Sequence, residues 1–107
     1  GVILLFWTTW CPFCRQELRI LANKYSQLMV DGWEVLAVNV GESAAKVDNF
    51  VKSYSLPFKV LFDKTTSVSR SFEVLGVPTY VFVDKEGKVI YVEHSFPDAD
   101  YKALLPK

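Results

Sequence analysis

Cys11 and Cys14 are the only cysteines in a chain of 107 residues, and Pro12 and Phe13 alone separate them in the stretch Trp10-Cys11-Pro12-Phe13-Cys14. Two thiols at this spacing can close a disulfide and trade it with another dithiol, form a structural disulfide, or supply half of a zinc site. A structural zinc site needs about four ligands, and beyond the cysteines the chain offers only the distant His94. The surroundings favour redox chemistry. Val2 to Trp7 is an unbroken apolar run of the kind found in a strand buried on both faces, and Thr8-Thr9-Trp10 leads out of it. From Cys14 onward the period becomes helical, with Leu18, Leu21, Ala22, Tyr25, Leu28 and Met29 on one face. The pair therefore sits where a strand gives way to a helix, Cys11 near the first turn and Cys14 inside it. Unpaired N–H groups and the positive end of the helix dipole favour a thiolate there, and the thiolate is the species that attacks a disulfide. Pro12 suits the first turn, where its missing N–H costs nothing. Cys11, at the exposed end, is the expected nucleophile, and Cys14 the resolving thiol.

The elements that must hold this pair follow in order. Asp31-Gly32 ends the first helix, Glu34 to Val40 is a second buried strand, and Ser43 caps a helix over Ala44 to Tyr54 with Ala44, Val47, Phe50, Val51 and Tyr54 on one face. A third strand is expected over 58–62 and a short helix over 66–72, whose apolar face is Val68 and Phe72. Residues 80–83 and 88–92, joined by Asp84-Lys85-Glu86-Gly87, should form a hairpin, and 98–105 a last helix. The order β-α-β-α-β-α-β-β-α predicts an α/β fold of one domain over residues 1–107. Its central sheet is mixed, with helices on both faces, parallel at first and antiparallel at the end.

Twelve Lys and Arg balance twelve Asp and Glu, half of the residues are hydrophobic and 22% are charged. A single ordinary core can form, and nothing in the charge pattern points to nucleic acid. Proteins or small thiols are the expected partners, and the protein is expected to be a monomer. No apolar run is long enough to span a bilayer, and no basic segment precedes the first strand as a signal peptide would require. A chain that starts one residue before a core strand reads as trimmed, so any signal or membrane anchor is expected upstream. Few cysteines suit an oxidising compartment, with the cytoplasm as the alternative.

Three features together resemble the thioredoxin superfamily: a strand followed by W-C-x-x-C at a helix start, the later Gly76-Val77-Pro78-Thr79 before a strand, and a closing hairpin. Within it the chain is most similar to the TlpA/ResA-like thiol-disulfide oxidoreductases. Phe6-Trp7-Thr8-Thr9-Trp10-Cys11 resembles their F-W-A-x-W-C, Cys14-Arg15-Gln16-Glu17 their C-R/K-x-E, and Val81 to Gly87 their F-x-I-D-x-x-G, while residues 43–62 resemble the insertion that separates this group from plain thioredoxin. The resemblance implies a thioredoxin-like three-layer fold with no cofactor beyond the Cys11–Cys14 disulfide. It implies a cis-proline at Pro78 facing the thiols, with the Val77 backbone left to pair with an extended peptide. Trp10, Pro12 and Phe13 would form an apolar rim around Cys11. Glu17, one turn beyond Cys14, can exchange protons with that thiol; read as a residue alone it is a first-turn surface acid. Protein disulfides or dithiols would be the substrates and a second protein the redox partner, in the bacterial cell envelope and for instance in cytochrome c maturation. Two departures stand out: Arg19 replaces a proline usual in the group, and Leu5 the buried acid of thioredoxin. Weaker rivals are an oxidase or isomerase, a binding module using the Trp10, Phe13 and Val77 surface, a peroxidase suggested by Thr8, and a glutaredoxin suggested by C-P-F-C.

Overall fold

The apolar run Val2–Trp7 forms β1, the central strand of a five-stranded sheet. The computed structural model describes residues 1–97, and the expected helix over 98–105 lies outside the described residues. After β1 come α1 (Pro12–Val30), β2 (Glu34–Val40), α2 (Ala44–Tyr54), β3 (Lys59–Asp63), α3 (Ser67–Ser71), β4 (Thr79–Val83) and β5 (Val89–Glu93). The strands lie in the order β3-β2-β1-β4-β5. β1 runs parallel to β2, with Leu5 opposite Ala37, and antiparallel to β4, with Leu5 opposite Tyr80. β3 extends the parallel side and β5 the antiparallel side, so the expected mixed sheet and hairpin are present.

Alternation along β1 explains why its sequence is apolar without a break. Ile3, Leu5 and Trp7 face a large cluster with Leu18, Leu21 and Leu28 of α1 and Val47 of α2. Leu4 and Phe6 point the other way, into a smaller cluster with Val38 and Val81 against which Phe72 and Val74 pack. α1 runs unbroken through Arg19, where the related group carries proline. Met29, expected on its buried face, and Ala44, expected on that of α2, are both exposed, each at or next to a helix end. Ser43 caps α2 as expected, its hydroxyl accepting from Lys46 N.

Several boundaries shift by a residue: β4 begins at Thr79 and β5 runs Val89–Glu93. β3 starts one residue later than expected because Phe58 leaves the ladder to pack edge-on against Tyr25, at 5.9 Å between ring centres. α3 is only five residues long and only half of its expected apolar face holds: Phe72 packs on Phe6 at 5.8 Å between ring centres, but Val68 is 44% exposed and Ser69 is buried instead. What orients it is Asp63, the last residue of β3, whose carboxylate accepts from Val68 N at 3.2 Å and from Ser69 N at 2.8 Å. Burial alone would raise the Asp63 carboxyl, but the Ser69 and Val68 N–H groups outweigh it and hold it below its ordinary range.

Asp63→Ala should therefore destabilise the protein by about 1–2 kcal/mol, the usual cost of losing a cap. A depressed carboxyl contributes stability above its unfolded pKa and loses it as pH falls through the folded value. The difference in melting temperature between wild type and Asp63→Ala should be full at pH 7 and shrink below about pH 4, which thermal unfolding across that range measures.

Candidate active site

β1 ends at Trp7 in the middle of the sheet, and Thr8-Thr9-Trp10 turns the chain into α1, whose N-cap is Cys11. The thiol sulfur occupies the place a Ser or Asp oxygen usually takes, accepting from Cys14 N at 3.2 Å. Negative charge on Cys11 is therefore met by a helix N–H before any substrate arrives. Both cysteines are free thiols. The expected order of exposure holds, but the expected open end does not: Cys11 is only 5% exposed and Cys14 is fully buried. What covers Cys11 is the segment before β4, where the Val77 carbonyl lies 3.8 Å from its sulfur and the Val77–Pro78 bond is cis. The exposed surface belongs to the rim, with Trp10 66% and Phe13 71% exposed.

Burial first, and then hydrogen bonding with the Cys11 thiol, push the Cys14 thiol up to about 12, against the pull of the Thr8 backbone and hydroxyl. Cys14 is thus held as a thiol at neutral pH.

Glu17 is buried rather than at the surface, one turn beyond Cys14, but its bonds go elsewhere. Its Oε1 accepts from the Tyr80 hydroxyl at 2.9 Å and from Phe96 N at 3.1 Å. Among the described residues neither thiol is hydrogen-bonded to it. The partner it has instead, Tyr80, stands opposite Leu5 in the β1–β4 ladder, beside the position where thioredoxin carries its acid.

A second carboxylate, which the sequence did not single out, braces the loop before Cys11. Glu42, just past β2, accepts from Thr9 N at 2.7 Å, from Thr9 Oγ1 at 2.6 Å and from the fully buried Asn39 at 2.8 Å, and pairs with Lys46 at 3.2 Å. Arg15 adds a bond from Nη1 to Thr9 O at 3.2 Å. The legible signal was Asn39: a polar side chain in a strand buried on both faces must find a partner. Burial would raise the Glu42 carboxyl, but the Thr9, Asn39 and Lys46 donors outweigh it and lower it.

The segment carrying Val77 separates two hollows. One, of about 580 Å³, lies between Phe13, Glu17, Pro78 and His94. The other, of about 560 Å³, lies between Trp10, Val40, Glu42 and Leu75. Every residue expected at the site is thus gathered at this end of the sheet.

Residues 1–92 match the AhpC/TSA family. The chain is 44% identical over 92 residues to the thiol-disulfide oxidoreductase ResA of Bacillus subtilis, covering 86% of this chain and 51% of that protein. It spans about half the length of the curated relatives it matches. Among solved structures it is similar to the pneumococcal exposed lipoprotein thioredoxin of Streptococcus pneumoniae, 29% identical, with a TM-score of 0.83 over 96% of this chain and 82% of that one. It also shares its fold with StoA of Bacillus subtilis, 24% identical, with a TM-score of 0.83 over 95% and 79% of the two chains. The fold is thioredoxin-like.

Two outcomes are expected from this geometry. Iodoacetamide at pH 8 should label Cys11 and leave Cys14 unmodified, as peptide mapping of the reduced protein will show; first labelling of Cys14 would reverse the roles. Glu42→Ala should cost about 1–3 kcal/mol, because it strands buried donors. Since the Glu42 carboxyl is lowered by folding, its contribution is full at neutral pH and is lost as pH falls through the folded value, so denaturant midpoints of wild type and variant should converge in acid.

Proposed function

The chain belongs to the AhpC/TSA family, and from that membership and its paired thiols we propose that it is a thiol-disulfide oxidoreductase that reduces or exchanges disulfides in other proteins. The observation that carries this is the contrast between the thiols: Cys11 at a helix N-cap beneath an exposed rim, and Cys14 beside it, held protonated by burial.

The steps follow from that contrast. Cys11, as thiolate, attacks one sulfur of a substrate disulfide; the new S–S bond forms as the old one breaks, and the second substrate sulfur leaves with the electron pair and takes up a proton. Cys14 then gives up its proton and attacks the Cys11 sulfur. The bond between Cys11 and the substrate breaks, the substrate leaves as a dithiol, and the protein is left with a Cys11–Cys14 disulfide. A redox-partner protein returns the two electrons. Glu17 serves as the route by which the Cys14 proton leaves, being the buried acid one helical turn away. The Val77 backbone pairs with the substrate peptide, and Trp10, Pro12, Phe13 and Pro78 form the surface it lies on.

We place this chemistry outside the cytoplasm, acting on envelope proteins such as cytochrome c precursors. Support comes from the exposed lipoprotein thioredoxin to which the chain is similar and from the absence of any cysteine outside the pair. With a disulfide-bonded protein as substrate, Cys11→Ser should lower kcat/KM on the order of a thousandfold or more. Cys14→Ser should accumulate the mixed disulfide through Cys11, visible by mass spectrometry. Full turnover by Cys11→Ser would overturn the proposal.

A further inference from the structure

Away from the thiols, β3 forms one edge of the sheet and pairs with β2 alone. In a parallel ladder alternate residues turn both backbone groups toward the neighbouring strand. Asp63 stands opposite Val40 and its carbonyl accepts from Gly41 N at 2.9 Å, so Asp63, Leu61 and Lys59 are the residues whose backbone faces β2. The N–H and C=O groups of Val60 and Phe62 therefore point out of the sheet, where no strand among the described residues meets them. Edge strands are commonly blunted by a proline, a bulge or a charge in mid-strand. The other edge, β5, has a register shift against β4 at Phe82/Val83. β3 has none of these devices: its register against β2 is regular, its middle is Val60, Leu61 and Phe62, and Leu61 and Phe62 are 37% and 48% exposed. Its two charges, Lys59 and Asp63, stand at opposite ends and differ in sign.

A strand with this pattern is complementary to itself. Laid antiparallel on a second β3 and centred on Leu61, Val60 meets Phe62 of the other copy, and the outward N–H and C=O groups of both residues bond in each direction. Their side chains share the face on which Val60 already packs against the larger cluster, a β-branched residue beside an aromatic one. On the other face Leu61 meets its own copy and Lys59 meets Asp63, in close pairs at about 4.5 Å between Cα atoms. Sliding the copy by one repeat of the ladder sets Leu61 against Lys59 or against Asp63 and loses both ion pairs. Each Asp63 oxygen accepts one N–H of α3 and keeps a lone pair for an ammonium group. α3 leads the chain inward from the edge, its C-cap Phe72 packing on Phe6 of the central strand.

We propose that β3 is a self-pairing edge through which two copies of this chain join their sheets into one continuous sheet with two-fold symmetry. A strand of five residues on each side falls well short of the roughly 20–30 residues of a standard interface. The pairing is therefore a weak equilibrium, monomeric when dilute and dimeric when concentrated. Because β1, β2 and β3 run parallel, the reversed copy sets its thiols at the opposite end of the joined sheet, and both sites stay open.

Sedimentation velocity on the full chain should show the mass rising from monomer toward dimer between about 10 μM and about 1 mM, the range of weak contacts. Phe62→Pro removes an outward N–H while sparing every bond to β2, and Lys59→Glu sets like charges opposite each other. Each should weaken association by about tenfold or more, with circular dichroism unchanged to show that the fold is kept. The register is read by cross-linking. With Cys11→Ser and Cys14→Ser in place, Leu61→Cys should close a disulfide between copies in air, because its two Cα atoms then lie within the span a disulfide bridges. Phe62→Cys should cross-link at least about tenfold more slowly, since the same register sets its two copies apart along the strands. A monomer at every concentration, a dimer unmoved by both Phe62→Pro and Lys59→Glu, or faster cross-linking through Phe62→Cys than through Leu61→Cys would each overturn the proposal.

Discussion

The hydrogen bond from Cys14 N to Cys11 Sγ, 3.2 Å long, is the contact from which the other features of the site follow. It exists because β1 ends and α1 begins within a few residues, which puts a thiol at a helix N-cap. An oxygen there would only start a helix. A sulfur there can have negative charge met by the backbone itself. The same short distance forces Cys14 inward to the end of the core, where it loses solvent and keeps its proton. One local geometry thus gives the two thiols unlike surroundings, which is what the proposed division into attacking and resolving thiol requires.

Around that contact several buried or half-buried polar groups hold the flanking loops in place. Glu42 fixes the segment entering Cys11 from the N-terminal side, reaching it across 33 residues of sequence. Thr79 and His94 fix the segment that covers Cys11 from above. Each loop would otherwise carry backbone groups near an apolar core without a defined position. The low exposure of Cys11 is the result, since a nucleophile hemmed in by two braced loops meets solvent only along the rim of Trp10 and Phe13.

Much of this could be read from the residues. β1, β2 and α2 fall where periodicity and a Ser N-cap put them, because each has a strong local signal. The cysteine pair and Pro78 were legible for the same reason, one from spacing and the other from a motif. α3 was misjudged in part: Phe72 packs as its apolar pattern requires, but Val68 does not, and a carboxylate at the end of the previous strand helps to orient the helix. Glu42 and Tyr80 were missed because their contacts join residues 33 and 63 apart, and no period of 2 or 3.6 reports a contact between such distant positions. Glu17 was found, but its partners were not, since they come from β4 and from Phe96, beyond the end of β5.

The bonds of Glu17 tie together three parts of the chain that are distant in sequence: the reactive helix, the middle strand of the antiparallel side, and Phe96 beyond the last strand. One oxygen therefore acts as a fastener for all three, so a shift of Tyr80 or of Phe96 is passed straight to the helix that carries both thiols.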